Sequence, residues 1–209
     1  MNQIKEANPY HQLQDYYYIK KENLNKLDGI KYKILFDFPI SNTLFISNEE
    51  HWKAKPVYYA KTDFEKQDNP DHFNHITNEI AYTGKYSSMT DSSINYSDGF
   101  SYNVSDSLLN NNNAIVNFKT MAYTPNMKFS AYIVIEFSHN NQILYYQSDD
   151  LKDFINRENK WTPIYYSCII PKEIQKDDQI KCYIWNICNY PVYIDDMEMT
   201  INTYQKGDK

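Results

Sequence analysis

Glycine and arginine are scarce in this chain of 209 residues. Four glycines argue against the glycine-rich loops with which nucleotide-binding enzymes cradle phosphate groups. Arg157 is the only arginine, so a bidentate clamp for a phosphate or carboxylate ligand has a single donor available. The formal net charge of -6 argues against nucleic acid as a partner, because such binding depends on neutralising phosphates with lysine and arginine.

Long apolar segments are absent as well. Met1 is followed by polar residues without the apolar stretch of a secretory signal, and runs such as 131–135 are too short to span a bilayer. We therefore expect no direct membrane insertion. The sequence assigns no compartment, and an extracellular or cell-surface position as part of a longer protein is one interpretation.

The few potentially reactive side chains lack a catalytic setting. Cys168, Cys182 and Cys188 form no Cys-x-x-Cys pair and no zinc-type array, and the first two lie in apolar runs typical of small buried residues. His72 and His75 form a His-x-x-His pair, which fits either a zinc site on a helix or, as we favour, a polar loop. No Gly-x-Ser-x-Gly motif for a nucleophilic serine is present.

Aromatic residues are abundant instead: they make up 16% of the chain, with 21 tyrosines and 10 phenylalanines. Tyrosine, phenylalanine and β-branched residues favour strands, and many short runs of them alternate with turn signals. This pattern predicts an all-β protein, a two-sheet antiparallel β-sandwich of jelly-roll type. We predict a smaller N-terminal segment of extended chain and β-hairpin over residues 1–55, a linker over 49–56, and the sandwich over 56–205.

Side chains alternate between the two faces of a strand, which allows faces to be assigned in the predicted closing strands. One face of the strand 180–186 is suited to the core and the other is aromatic with one charge. The first carries Ile180, Cys182 and Ile184, and the second carries Lys181, Tyr183 and Trp185. The aromatic face is predicted to meet water, a ligand or another segment.

A second strand, 193–199, carries a carboxylate on its apolar face. If Met197 and Met199 point inward, Asp195 points inward too. A buried carboxylate has to be paired, hydrogen-bonded or bound to a cation.

Four segments together resemble the β-jelly-roll modules with a galactose-binding-like fold, which include many carbohydrate-binding modules. They are Asp-Phe-Glu at 63–65, Tyr-Thr-Gly-Lys-Tyr-Ser at 82–87, a strand from Trp161 to Ile-Pro at 170–171, and the closing pair Lys-Cys-Tyr-Ile-Trp-Asn at 181–186 with Val-Tyr-Ile-Asp-Asp-Met-Glu-Met at 192–199. The resemblance covers residues 57–203. Residues 1–55 match no family that we can name.

The resemblance implies a structural calcium between the opening and closing strands. Glu65 and Asp195 would be its carboxylate ligands, with backbone carbonyls near Lys85 completing a hard-oxygen shell. The alternative is that these carboxylates are buried against backbone amides without a metal.

The resemblance also implies a sugar ligand on the concave sheet face or at loop tips, where aromatic rings stack on sugars. Tyr183 and Trp185 are the ligand-binding candidates for the concave face. The alternative is that they pack against the N-terminal segment or a neighbouring domain.

Three functions remain open. The first is a non-catalytic accessory module that binds a glycan or a partner domain, within a larger surface-associated bacterial protein. The second is a structural protein whose aromatic face is a subunit contact without a small ligand. The third is a glycan-processing enzyme that uses a pair of carboxylates.

Overall fold

The computed structural model of the protein describes residues 16–27, 31–38, 42–47, 52–65, 73–110 and 113–206. Strands dominate this part of the chain, as predicted. In chain order they are β1 (Tyr16–Lys20), β2 (Lys33–Phe38), β3 (Thr43–Ser47), β4 (Trp52–Thr62), β5 (Ile76–Thr77), β6 (Ser87–Thr90), β7 (Phe100–Asn103), β8 (Ala114–Tyr123), β9 (Ala131–His139), β10 (Gln142–Asp150), β11 (Thr162–Ile169), β12 (Gln179–Asn186) and β13 (Val192–Lys206).

Helical structure in the described residues is limited to short pieces. They are α1 (Asp106–Leu109) and two 3-10 segments, Lys21–Leu27 and Leu151–Asp153. Among these residues, no helix has the length and apolar character needed to cross a membrane.

Two antiparallel sheets form the body of the protein. The first has four strands in the order β10-β9-β12-β7. The second has six strands: its order is β11-β8-β13-β6-β5, and β4 also pairs with β13. The long β13 contacts β6 near its start and β4 along the rest, while β8 lies on its other side.

The main core lies between these sheets. Ile133, Ile135 and Ile184 contribute to it from the four-stranded sheet, and Phe118 and Met199 from the six-stranded sheet; all are at most 1% exposed. Burying each such side chain stabilises the fold by roughly 1.5–3 kcal/mol. The two-sheet sandwich that the alternating pattern predicted is therefore confirmed.

A third sheet, in the order β1-β3-β2, packs against one end of the sandwich. Its contact is a small aromatic cluster in which Phe45 meets the ring of Tyr204 edge-on, with centroids 5.2 Å apart. Ile115 of β8 belongs to the same cluster. Since Ile115 and Tyr204 lie on the six-stranded sheet, the N-terminal sheet covers one end of that sheet's outer face.

The predicted linker over residues 49–56 is wrong in its described part, because β4 already begins at Trp52 and passes through Pro56 without a break. The strand tolerates proline for two reasons. It pairs with β13 alone among the described strands, and the register shifts opposite Pro56, between Ile201 and Asn202. An edge strand at a bulge does not need the N–H that proline lacks.

Candidate functional site

The predicted ligand-binding pair, Tyr183 and Trp185, lies on the outer face of β12. Alternation in this strand follows the prediction: Ile180, Cys182 and Ile184 are fully buried in the core, whereas the two aromatic side chains are only half-buried. Because β12 lies between β9 and β7, its outer side chains stand in the middle of the four-stranded sheet.

Three more tyrosines join them on this surface, which we call the aromatic face. Its members are Tyr96, Tyr132, Tyr146, Tyr183 and Trp185. Tyr132 lies opposite Trp185 in the register of β9 and β12, and their ring centroids are 5.7 Å apart. Tyr96 stacks on Trp185 at 6.3 Å with 16° between the planes, and it meets Tyr183 edge-on at 5.6 Å.

A short segment beside β12 positions Tyr96. The backbone N–H of Ser97 donates to the Ile184 carbonyl at 2.9 Å, and the N–H of Asn186 donates to the Asn95 carbonyl at 2.7 Å. Tyr96 itself forms an isolated antiparallel bridge with Trp185. These bonds hold the ring against the sheet, although 53% of Tyr96 remains exposed.

A buried carboxylate, Glu136, lies among these rings. The Tyr183 hydroxyl donates to Glu136 Oε2 at 2.7 Å, and Lys181 Nζ lies 3.4 Å from Glu136 Oε1. Glu136 is only 6% exposed. Burial, and then the bond to Glu136, raises the pKa of Tyr183. The phenol therefore stays protonated and acts as a donor at neutral pH.

The aromatic face thus combines two kinds of contact that a sugar needs. Half-exposed rings can stack on the apolar faces of pyranose rings, and Lys181, which Glu136 holds in place, can donate to hydroxyl groups. None of the five aromatic residues belongs to the set that packs against the main core. Their position is therefore not explained by the packing between the sheets.

The sequence reasoning missed Tyr96, Tyr132, Tyr146 and Glu136. The signal for two of them was available, since Tyr132 and Glu136 alternate in the sequence with apolar residues that the structure places in the core, among them Ile133, Ile135 and Phe137. Tyr146 could not be found in this way, because the register of the β9–β10 hairpin shifts between Ile143 and Tyr145. Tyr96 could not be found either, because sequence alone does not show that the segment before β7 lies beside β12.

The predicted metal ligands, Glu65 and Asp195, meet on one loop. Asp195 Oδ2 accepts the backbone N–H groups of Tyr82 and Thr83 at 2.8 and 3.0 Å. Glu65 Oε1 accepts those of Lys85 and Tyr86 at 2.5 and 2.6 Å. The two carboxylates thus hold the loop 82–86 from two sides.

The loop itself departs from the resemblance, which implied a strand over 82–87. The strand begins only at Ser87, and Gly84 adopts a positive φ of 60°. A Cβ at position 84 would overlap the Glu65 carboxyl group. Glycine is therefore required here both for its backbone conformation and for the close approach of Glu65.

Asp195 is fully buried, but alternation assigned it to the wrong face. The register of β13 shifts between Asp195 and Glu198, so Asp195 lies on the side of Tyr193 while Met197 and Met199 enter the core. Burial raises its pKa, while hydrogen bonds from Thr83, Asp196 and Tyr82 act in the opposite direction. Its other oxygen, Oδ1, accepts the N–H of Asp196 at 2.7 Å. Three amide donors therefore satisfy this carboxylate without a cation.

Few carboxylate lone pairs remain for calcium at this loop. Among the described residues, no group of three or more His, Cys, Asp or Glu side chains is placed to hold a metal ion. The carboxylate lone pairs that accept no backbone N–H are on Glu65 Oε2 and Asp195 Oδ1. A calcium ion would need backbone carbonyls near Lys85 as further ligands. Backbone amides alone are sufficient partners for the two carboxylates, whereas a calcium site requires these carbonyl ligands as well.

The cysteines and the histidine pair that the sequence singled out have structural contacts where they are described. Cys168 and Cys182 are buried and free, and Cys188 is half-buried and accepts the Ser130 N–H at 2.9 Å. The first histidine of the His-x-x-His pair, His72, lies outside the described residues. The backbone N–H of His75 donates to the buried Asp98.

Comparison with solved structures finds carbohydrate-binding modules, the class that the sequence resemblance indicated. The CBM22-1 xylan-binding domain of Paenibacillus barcinonensis Xyn10C matches at 15% identity with a TM-score of 0.37, over 76% of this chain and 87% of that one. The C-terminal family 22 carbohydrate-binding module of Clostridium thermocellum Xyn10B matches at 10% identity with a TM-score of 0.37, over 77% and 89%. A family 16 carbohydrate-binding module matches at 17% identity with a TM-score of 0.35, over 59% and 82%.

No protein-family model matches the sequence, and no curated protein matches it. Because the structural likenesses are low, the proposed function depends on the side chains of the aromatic face.

Proposed function

We propose that the protein is a non-catalytic module that binds a neutral glycan on the aromatic face of its four-stranded sheet. One observation carries the proposal. Five aromatic side chains stand outside the core on one sheet face, where a buried carboxylate, Glu136, is bound by the phenol of one of them and by an ammonium group.

Stacking supplies the main part of the binding energy in this proposal. The rings of Tyr96 and Trp185 are nearly parallel, and Tyr96 and Tyr146 are each about half exposed, at 53% and 52%. Tyr96 and Trp185 offer apolar surface at low cost in conformational entropy, because neighbouring rings and backbone bonds already fix their orientation.

Hydrogen bonds supply selectivity. Lys181, with 32% of its side chain exposed, donates to sugar hydroxyls. Its ammonium group is already paired with the buried Glu136 carboxylate, which offsets its attraction for an anionic sugar. This charge arrangement favours neutral sugars over uronic acids or sulfated chains.

The second function considered, a protein contact on the same surface, has one observation in its favour. Ile143 and Leu144 of the edge strand β10 are each 58% exposed. Exposed apolar groups of this kind also occur at interfaces between proteins. The experiment below separates this function from glycan binding.

Affinity electrophoresis in gels that contain a neutral or an acidic polysaccharide tests the proposal. The wild-type protein is expected to be retarded by at least one neutral polysaccharide, and Trp185→Ala is expected to migrate freely. Tyr59→Ala is the matched control, because Tyr59 is 61% exposed on β4 of the other sheet. Equal migration in all gels, together with self-association that Trp185→Ala abolishes, would favour the protein contact.

Turnover is checked in parallel with chromogenic glycosides. The proposal expects none, and hydrolysis that Glu136→Gln abolishes would establish the enzymatic alternative instead.

A structural calcium is a separate proposal for the loop 82–86. Glu65, Asp195 and backbone carbonyls near Lys85 would hold the ion, and it would supply rigidity to this loop rather than any chemical step. The amide bonds of both carboxylates support a rigid loop in either case.

A further inference from the structure

A second group of aromatic side chains lies on the opposite side of the sandwich. We call it the second aromatic cluster; its members are Tyr82, Tyr123, Trp161 and Tyr193. Tyr123 and Tyr193 face each other in the register of β8 and β13, and their core-facing neighbours, Ala122 and Ile194, are buried. The cluster therefore stands on the outer face of the six-stranded sheet.

The four rings form a continuous chain of contacts. Tyr82 lies 5.8 Å from Trp161, Trp161 lies 5.4 Å from Tyr123, and Tyr123 lies 6.0 Å from Tyr193 between ring centroids. Tyr82 is 48% exposed and Trp161 is half-buried. Tyr82, Tyr123 and Trp161 are not among the residues that pack against the main core, and in this they resemble the five residues of the aromatic face.

Polar groups surround these rings. The Tyr123 hydroxyl donates to Asn159 Oδ1 at 2.9 Å, and the Tyr193 hydroxyl donates to Glu79 Oε2 at 2.6 Å. The Thr83 hydroxyl donates to Asp196 Oδ1 at 3.1 Å beside them. Amide, carboxylate and hydroxyl groups next to aromatic rings are the combination that hydroxyl-rich ligands need.

The backbone holds this arrangement in place. The N–H of Tyr82 is bound by Asp195, and the N–H of Asn159 donates to the Thr124 carbonyl at 2.8 Å. A ligand would therefore find Tyr82 and Asn159 already oriented. The N-terminal sheet covers the opposite end of the same face, around Tyr204, whereas at this end exposure ranges from 48% for Tyr82 to 7% for Tyr193.

We infer that the second aromatic cluster is a second saccharide-binding platform, so that one copy of the protein bridges two neutral glycan chains. The carboxylates of Glu79 and Asp196 beside the rings disfavour anionic sugars. The inference rests on the glycan class proposed above but concerns a different surface. Two sites on opposite sheets cannot serve one sugar ring, and they therefore cross-link chains or bind one long chain with increased avidity.

Calorimetric titration with cellohexaose, xylohexaose and hexagalacturonate tests the inference. We expect two sites per chain for one of the neutral hexasaccharides and none for the acidic one. Tyr82→Ala removes an exposed ring but keeps the N–H that Asp195 binds, and it is expected to weaken one site about tenfold or more, the loss of a single good contact. Trp185→Ala is expected to weaken the other site, and Tyr59→Ala neither.

A functional readout uses soluble neutral polysaccharides. The wild-type protein is expected to raise the viscosity of a solution of the matching polysaccharide, and Tyr82→Ala and Trp185→Ala are each expected to abolish this rise. Circular dichroism and thermal unfolding confirm that the variants remain folded, and Tyr82→Phe, which keeps a ring, is expected to restore binding.

The possible failures are distinguishable. One site per chain, with an affinity unchanged by Tyr82→Ala, overturns this inference and leaves the aromatic face as the glycan site. Binding that depends on Tyr82 but not on Trp185 overturns the proposed function of the aromatic face and keeps the second platform. Absence of glycan binding by the wild-type protein overturns both.

Discussion

Asp195 accepts a hydrogen bond from the backbone N–H of Tyr82 at 2.8 Å, although the two residues are 113 positions apart. Through this bond and those to Thr83 and Asp196, a single buried carboxylate fixes the loop that carries Tyr82. The stability of the sandwich and the geometry of its second aromatic cluster therefore depend on the same side chain.

Replacing Asp195 by alanine is expected to destabilise the protein by on the order of 3 kcal/mol or more, because three backbone donors lose their acceptor in a buried place. Asp195→Asn keeps one acceptor oxygen and is expected to lose less. Urea unfolding measures both, with Asp153→Ala as the control for an exposed carboxylate. A loss below about 1 kcal/mol for the alanine variant would show that water replaces the carboxylate.

Calcium gives a prediction of its own. If Glu65 and Asp195 hold the ion, calcium chloride raises the melting temperature of the wild-type protein and a chelator reverses the rise. The rise is expected to vanish in Glu65→Gln and to persist in Asp63→Asn, whose side chain accepts only the N–H of Glu65. An unchanged wild-type melting temperature means that backbone amides alone satisfy both carboxylates.

Gly84 is expected to tolerate no side chain. Gly84→Ala places a Cβ against the Glu65 carboxyl group and forces a non-glycine residue to a φ of 60°. We expect a loss of about 1–3 kcal/mol, of which the backbone contributes about 1 kcal/mol. In a double-mutant cycle, Glu65→Ala is expected to relieve the steric part, so that the combined loss is smaller than the sum. Additive losses would contradict the predicted contact.

Alkaline pH is expected to destabilise the protein. Burial raises the pKa of the Cys168 thiol and of the Tyr204 phenol to about 12 each. In the unfolded chain these groups lose their protons near about pH 8.5 and 10, so the native state binds more protons between those values and 12. The free energy of unfolding therefore falls as the pH rises through this range.

Urea unfolding between pH 7 and 11 measures this fall. Cys168→Ala is expected to make it shallower above about pH 8.5, where the thiol begins to contribute. Cys188→Ala, at a half-buried position, is the control. Equal slopes for the wild-type protein and Cys168→Ala would contradict the prediction.

The N-terminal sheet is expected to detach before the sandwich unfolds. Phe45 is fully buried and stacks on Tyr18 at 4.7 Å, besides its contact with Tyr204. Phe45→Ala removes both contacts and is expected to speed hydrogen exchange in β1, β2 and β3 by more than tenfold, while β9 and β12 keep their protection. Phe118→Ala, in the main core, is expected to raise exchange throughout. Uniform acceleration by Phe45→Ala would show that the sheets unfold as one unit.

Alternation made much of the fold predictable. The core face of β12 followed from a period of two, because a half-buried strand cannot place neighbouring residues on the same side. The same rule was wrong for the face of Asp195, because the register of β13 shifts between Asp195 and Glu198 and separates Asp195 from the inward methionines. The hairpin turn after β9 was also predictable, since Asn140 and Asn141 tolerate the positive φ values that such turns require.

Other features depended on contacts between distant segments. Pro56 indicated the end of regular structure, yet β13 accommodates it at an edge and a bulge that local sequence does not reveal. Glu136 had no distinctive setting in the sequence, because its partners Tyr183 and Lys181 come from a strand more than forty residues away. The aromatic face and the second aromatic cluster are both assembled by sheet topology, which a single sequence encodes only weakly.

The position of β13 has a consequence for how the chain acquires its structure. This strand, Val192–Lys206, joins β4, β6 and β8, whose residues were synthesised long before it. During translation, the six-stranded sheet cannot be completed until residues 192–206 leave the ribosome. Until then, the strands that pair with β13 have backbone N–H and C=O groups without their β13 partners. Pairings over such long separations are slow to form, and we expect the nascent protein to rely on chaperones in this interval.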